Sequence, residues 1–359
     1  MHRRSAVGTA VGVMALIAAP AALAARAKTV FAGPPPSATK IASKYVSKSF
    51  AGTYSPDINA FFRRRTTVNV GGSVTFQVRG FHTIDLPGKA GTALPVIAPT
   101  GSLVSGANDA AGNPFWFNGK VPNISFNPAL LGASKARTYN GTTRIDSGLP
   151  GGKSKPLTVR FTKAGTYKYF CDVHPGMIGY VVVKPKKASV PTSAQDTAAV
   201  TQQVTGDVKA AKRLAASKPP ANTVDLGESA SGGLELFHMF PATLQVNAGT
   251  VVTFTMSKRS FETHTATFGP ASYLTPLANA FANAPTIPPI AAYPSDPVQP
   301  LTLTPTSHGN GFANTGVLDT DSATATIPPS GKIDFTTPGT YHFECLIHPQ
   351  MQGTIVPCI

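Results

Sequence analysis

The sequence predicts an all-β chain of two β-sandwich domains joined by a partly helical linker, and three observations carry that expectation. A strand, loop and strand unit occurs twice: FTKAGTYKYF, CDVHPGM and IGYVVV in the middle of the chain, then FTTPGTYHFE, CLIHPQM and QGTIV at its end. Upstream of each unit, alternating Val and Phe after a glycine (Gly71, Val74, Phe76; Gly249, Val252, Phe254) describe strands with one buried face. The composition, with 33 Gly and 33 Pro among 359 residues, is that of turn-rich β domains, and 42% hydrophobic residues suffice for two cores.

In chain order, residues 1–26 read as a secretory signal. Arg3 and Arg4 precede a small-residue apolar stretch and Ala22-Leu23-Ala24 is a cleavage motif, while Gly8, Gly12 and Pro20 make the stretch a poor spanning helix. The mature chain is therefore expected to be secreted or extracytoplasmic, with no transmembrane segment. Residues 40–187 form the first expected domain and 234–359 the second. Each holds a long insertion, one aromatic (Phe115, Trp116, Phe117, Phe126) and one Pro-rich (Pro285 to Pro305). Loops of such length cap a core or bind a partner. Between the domains, in 188–233, Val200, Val204, Val208, Ala211 and Leu214 recur at helical spacing. Ser193 with Asp196 reads as the capping box, and Pro219-Pro220 as the stop.

The repeat also carries chemistry. Cys171, His174 and Met177 recur as Cys345, His348 and Met351, and His82-Thr83 recurs as His264-Thr265. One thiolate, two imidazoles and a thioether form a soft donor set that suits copper cycling between Cu(I) and Cu(II). Zinc more often recruits a second cysteine or a carboxylate, and none is repeated. Any one of these histidines alone would pass for a core or surface residue, but recurrence in register argues for a ligand. Cys358 has no counterpart. Thr83 and Thr265 are expected to hydrogen-bond near the thiolate or to tie two ligand loops together.

On these motifs both halves resemble the cupredoxins, the blue copper proteins, with a short Cys-x2-His-x2-Met loop like that of amicyanin. The resemblance implies a Greek-key sandwich and a type 1 copper centre in each half, hence two copper ions per chain and a one-electron carrier. The intervals from ligand His to Cys are longer than in a minimal cupredoxin, in keeping with the insertions. Extracytoplasmic copper storage or delivery is the alternative, but the six methionines form no exchangeable cluster. A two-domain copper oxidase is disfavoured because no His-x-His pairs occur. A nitrite reductase is disfavoured because Phe170 and Glu344 stand where a histidine would precede the cysteine. Of the other histidines, His342 should point away from the metal by strand parity, and His238 and His308 are unpaired. The two centres are expected to act independently.

The formal charge of +15 is confined to one half. Residues 28–187 carry 21 basic against 5 acidic residues, a net +16, residues 188–233 are neutral, and residues 234–359 carry 3 against 7, a net −4. No nucleic-acid motif accompanies that charge, so the expected partner is an acidic redox protein or an anionic cell surface. Arg63, Arg64 and Arg65 are the local cluster expected to form a docking patch.

Overall fold

The computed structural model describes residues 27–44, 46–89, 91–151, 155–174, 176–256, 260–283, 286–320 and 327–359. The expected signal, residues 1–26, lies outside them. Among the described residues no helix is long and apolar enough to cross a membrane.

Each half is a sandwich of two sheets, and the halves repeat the same plan. In the first, Lys28–Ala32 runs parallel to Ser73–Val78, which pairs antiparallel with Leu157–Phe161. In the second, Thr223–Ser229 runs parallel to Thr250–Met256, which pairs antiparallel with Ser330–Phe335. The facing sheets correspond too. Gly165–Phe170 and Ile178–Lys184 form an antiparallel pair flanked in parallel by Arg65–Asn69. Tyr341–Glu344 and Gln352–Cys358 do the same beside Thr243–Asn247. Alternation aims Val74, Phe76, Val159 and Phe161 into the first core, and Val252, Phe254, Ile333 and Phe335 into the second, all fully buried.

The expected boundaries shift at both domain starts. Lys28–Ala32 belongs to the first sandwich although it lies ahead of residue 40, and Thr223–Ser229 belongs to the second although it falls in the stretch read as linker. Each shows only a brief apolar alternation, Val30 and Ala32 in one and Val224 and Leu226 in the other, too short to mark a strand before its parallel neighbour is known. Two short helices, Pro36–Ala42 and Lys48–Tyr54, were not expected from the pattern. The halves also exchange structure: Pro56–Ile58, from the first, adds a strand beside Leu234–Phe240 of the second.

The linker helix forms over Ser193–Leu214, but its capping box is Thr192 with Gln195 rather than Ser193 with Asp196. Asp196 is instead drawn into ion pairs with Lys28 and Arg63. The stripe Val204, Val208 and Ala211 is buried with Ile58, Phe62, Leu234 and Leu236, so the helix packs across both halves rather than spacing them apart. Thr192→Ala is expected to cost about 1 kcal/mol through the lost cap, seen as a lower urea midpoint with an unchanged slope.

Arg63, expected in a docking patch, is 7% exposed and carries the Asp196 ion pair together with a bond to the Thr29 carbonyl. Its charge serves the helix contact. Arg64, which reaches the Ser231 carbonyl, and Arg65, which lies over the Tyr180 ring, remain at the surface.

The two insertions pack on each other. Thr286–Ile287 pairs with Pro122–Phe126, the Trp116 indole donates to the Pro294 carbonyl at 2.8 Å, and the Tyr293 hydroxyl donates to the Pro122 carbonyl at 2.6 Å. Phe115, Phe117, Leu274, Ala291, Phe312 and Leu346 form their shared core. The first insertion thus covers Leu274, Phe312 and Leu346 of the second half, and the second insertion packs on the first.

Candidate metal centres

Strand parity delivers the cysteines. Tyr169 and Cys171 share the inward face of one strand line, as do Phe343 and Cys345 in the other half, and all four are buried. Each loop then folds back in the same way. The Cys171 amide donates to the Met177 carbonyl at 3.1 Å and the Met177 amide to the His174 carbonyl at 3.1 Å. The Cys345, Met351 and His348 backbone repeats this at 3.0 and 2.8 Å. The loop thus returns its histidine over the cysteine and seats its methionine in the same apolar cluster as the thiol.

The upstream histidines complete two clusters. In the first, His82 Nδ1 lies 2.9 Å from His174 Nδ1, and Cys171 Sγ lies 3.4 Å from His174 Nδ1 and 3.9 Å from His82 Nδ1. In the second, His264 Nδ1 lies 3.1 Å from His348 Nδ1, and Cys345 Sγ lies 3.6 and 3.8 Å from His264 and His348. All eight residues read from the repeat therefore fall at the same end of their respective sandwiches, buried or nearly so. Four imidazoles aim Nδ1 inward beside a sulfur. Convergent lone pairs of this kind repel unless a proton or a cation sits among them, and the sulfur-plus-two-nitrogen set fits copper.

The threonines tie the ligand loops. The Thr83 and Thr265 amides each lie 3.4 Å from the cysteine sulfur. The Thr83 hydroxyl donates to Asp172 at 2.8 Å while accepting from the Asp172 amide, and the Thr265 hydroxyl accepts from the Leu346 amide at 2.9 Å. Both hydroxyls thus clamp the histidine loop to the residue that follows the cysteine.

Two features went unread in the sequence. Behind the first cluster, Asp85, Asp146 and Asp172 bring their carboxylates together, with Arg144 paired to Asp85. Burial, aided by the neighbouring Asp172 charge, pushes Asp85 up to about 8 and Asp146 to about 7. The second feature is Glu262. Its Oε1 lies 3.1 Å from His174 Nε2 in the first half, and its Oε2 lies 3.5 Å from His348 Nε2 in the second. Asn59 donates to Oε1 at 2.6 Å. The two clusters therefore share a neighbouring carboxylate. Glu262 escaped notice because internal repetition was the guide to ligands and its counterpart two residues before His82 is Gly80.

Glu262 also makes the two centres electrostatically unequal. Burial would raise its carboxyl, but His174 foremost, with His348 and His264, holds it at about 2. Against the pull of burial, Glu262 and Cys171 raise His174 well above the usual imidazole range. Burial alone would push the Cys171 thiol up, yet His174 and His82 bring it down to about 5. Burial pushes Cys345 up to about 11 and, with the His348 charge, pulls His264 down to about 3.

The remaining described histidines have separate occupations. His342 faces away from the cluster, bonded to Thr354 at 3.1 Å. His308 lies between Asp109 and Asp296, and His238 packs edge-on to Tyr54 and Phe240.

No family model matches the chain. Over 72 residues it is 32% identical to amicyanin from Paracoccus versutus, a match that covers 20% of this chain and 47% of that protein, so the chain spans about half the length of this curated relative. Among solved structures, oxidised plastocyanin from Dryopteris crassirhizoma aligns at 22% identity over 38% of this chain and 99% of its own, with a TM-score of 0.21. A purple cupredoxin from Nitrosopumilus maritimus aligns at 14% identity over 39% and 100%, with a TM-score of 0.21.

Proposed function

We propose that this chain is a cupredoxin and a one-electron carrier that holds a copper ion at each of two centres. His82, Cys171, His174 and Met177 would bind the first, and His264, Cys345, His348 and Met351 the second. The single observation behind this reading is the pair of buried sulfur-and-two-imidazole clusters at matching ends of two sandwiches. Copper bound there would supply a Cu(I)/Cu(II) couple through its thiolate.

The chain's own part is to keep that geometry unchanged between oxidation states. Sheet pairing fixes each cysteine, the Thr83 and Thr265 hydroxyls lock the histidine loops to the cysteine loops, and the apolar cores exclude water. Burial of this kind supports retention and redox cycling over storage or delivery, which needs ligands that exchange. Catalysis is disfavoured by the sequence, in which no His-x-His pair occurs and Phe170 and Glu344, not histidines, precede the two cysteines. Export through residues 1–26, an acidic redox partner for the basic first half and attachment to an anionic surface belong to the same reading, as do domains near 28–187 and 223–359 with the helix between them.

The copper-loaded chain is expected to take up two equivalents of copper and to absorb strongly in the visible when oxidised. Cys171→Ser and Cys345→Ser should each remove about half of that absorption, with the halves adding to within a small coupling because Glu262 touches both centres. Loss of all colour from either single change would overturn the two-centre reading.

A further inference from the structure

Of the eight side chains proposed to hold metal, only His348 keeps an appreciable exposed edge, 18%, against 7% for His174, while the other six are 4% exposed or less. The first centre therefore has no open edge of its own. The outer face of His174 is covered by residues of the second half. Phe261 lies against Gly176 in the first ligand loop, at 3.1 Å from where a Cβ would stand, and Glu262 lies against His174 Nε2.

That cover is built rather than incidental. The Phe261 amide donates to Glu235 at 2.6 Å, the Glu262 amide donates to Ser260 Oγ at 3.1 Å, and Asn59 from the first half holds Glu262 Oε1 at 2.6 Å. With every Nδ1 turned toward its cluster, the Nε2 atoms of His174 and His348 point outward, and each lies within ion-pair distance of a different oxygen of the same carboxylate. A ligating imidazole commonly donates its other N–H to a carboxylate. Here one carboxylate serves two imidazoles from two centres. The route from His174 to His348 thus contains only two non-covalent steps, of 3.1 and 3.5 Å.

We infer that Glu262 joins the two centres into one redox unit, in which an electron arriving at the His348 edge reaches the first centre through His348, the Glu262 carboxylate and His174. This inference rests on the two-copper reading above. The step is an internal exchange. The second centre loses one electron and is oxidised, the first gains it and is reduced, and no bond is broken. The carboxylate keeps its charge and both N–H groups keep their protons. The molecule then meets its partners at one face, beside His348, and can hold two electrons behind it.

The test uses the full, copper-loaded chain, reduced in stopped flow by hexaammineruthenium(II), with the visible band as readout. In the unchanged protein both halves of the band are expected to bleach with the same donor-dependent rate. Glu262→Leu keeps the volume over His174 but removes both acceptor oxygens. It should leave half the band bleaching at the original rate and slow the other half roughly tenfold or more, about 1.4 kcal/mol of barrier. Cys345→Ser should slow reduction of the remaining first centre to the same extent. Glu262→Gln, which keeps one carbonyl acceptor, should fall between and serves if the leucine variant does not fold.

A second readout needs no copper. In the metal-free chain, Glu262→Gln should shift the nitrogen-15 Nε2 resonances of both His174 and His348. A shift at only one of them refutes the bridge. If two coppers bind but both halves of the band bleach at the unchanged rate in Glu262→Leu, the bridge fails and the two-centre reading stands. If fewer than two coppers bind to the unchanged chain, the reading fails and the bridge with it.

Discussion

Gly33→Ala is expected to destabilise the chain by about 2–5 kcal/mol, well beyond the cost of the matching change Gly227→Ala, and to loosen the first centre. The two glycines hold equivalent places, each just beyond the register point where its strand lies parallel to the strand leading to the ligand histidine. Both have left-handed backbones, φ +83° and +81°, a conformation that costs a residue bearing a Cβ roughly 1–2 kcal/mol. The surroundings then separate them. A Cβ on Gly33 would stand 2.3 Å from the Arg79 carbonyl oxygen and 2.9 Å from His82 Nε2, whereas one on Gly227 would meet nothing closer than His264 Nε2 at 3.2 Å. Backbone oxygen cannot swing aside, so overpacking adds about 1–3 kcal/mol at Gly33 and little at Gly227. Urea unfolding of the metal-free variants gives the order, and copper affinity reports the first centre. Equal costs, or the reverse order, would show that the glycines do not floor the two histidines as described. The same contact has a functional side: it seals the Nε2 edges of His82 and His264, which leaves exchange to His174 and His348.

How much of this was legible in the sequence depends on whether a feature is repeated or local. The two clusters of candidate ligands could be read because residue types rare elsewhere in the chain recur in register on strands whose Val and Phe alternation is plain. The threonine clamp was half legible. The hydroxyl is a property of residue type, but the amide reaching sulfur is a property of position that any residue would supply. Glu262 was invisible to the same method, since a residue that serves both halves from one of them has no reason to appear twice. Arg63 was misread because a charge run shows no sign of which member turns inward, and only the fold brings Asp196 to it. The helix moved its cap by one residue for a related reason: Thr192 with Gln195 and Ser193 with Asp196 are equally good local pairs until Lys28 and Arg63 claim Asp196. The strand Pro56–Ile58 and the pairing of the insertions depend on contacts far apart in sequence, where local pattern carries no information.

Phe117→Ala is expected to destabilise the chain by about 3–5 kcal/mol and, though it lies in the first half, to disturb the second centre more than the first. Phe117 is fully buried, stacked on Phe115 at 5.1 Å between centroids, edge-on to Trp116 at 5.8 Å and tilted against Tyr293 at 5.7 Å. Removing the ring leaves a cavity in the core shared by the insertions, and cores of this density relax only partly. That core includes Leu346, the residue next to Cys345, whose amide donates to the Thr265 hydroxyl. A shift of Leu346 therefore acts on the clamp between the two ligand loops of the second centre. The clamp of the first centre, from Thr83 to Asp172, lies outside that shared core, and its histidine loop meets the first insertion at the rim, where Phe81 is tilted against Phe126 at 6.3 Å. Read on the Cys171→Ser background, where only the second centre contributes colour, Phe117→Ala should broaden the visible band and weaken copper binding. On the Cys345→Ser background it should leave the band nearly as it was. A change confined to the first centre, or an equal change in both, would mean that the insertions cap their own halves and that the shared core does not support the second site.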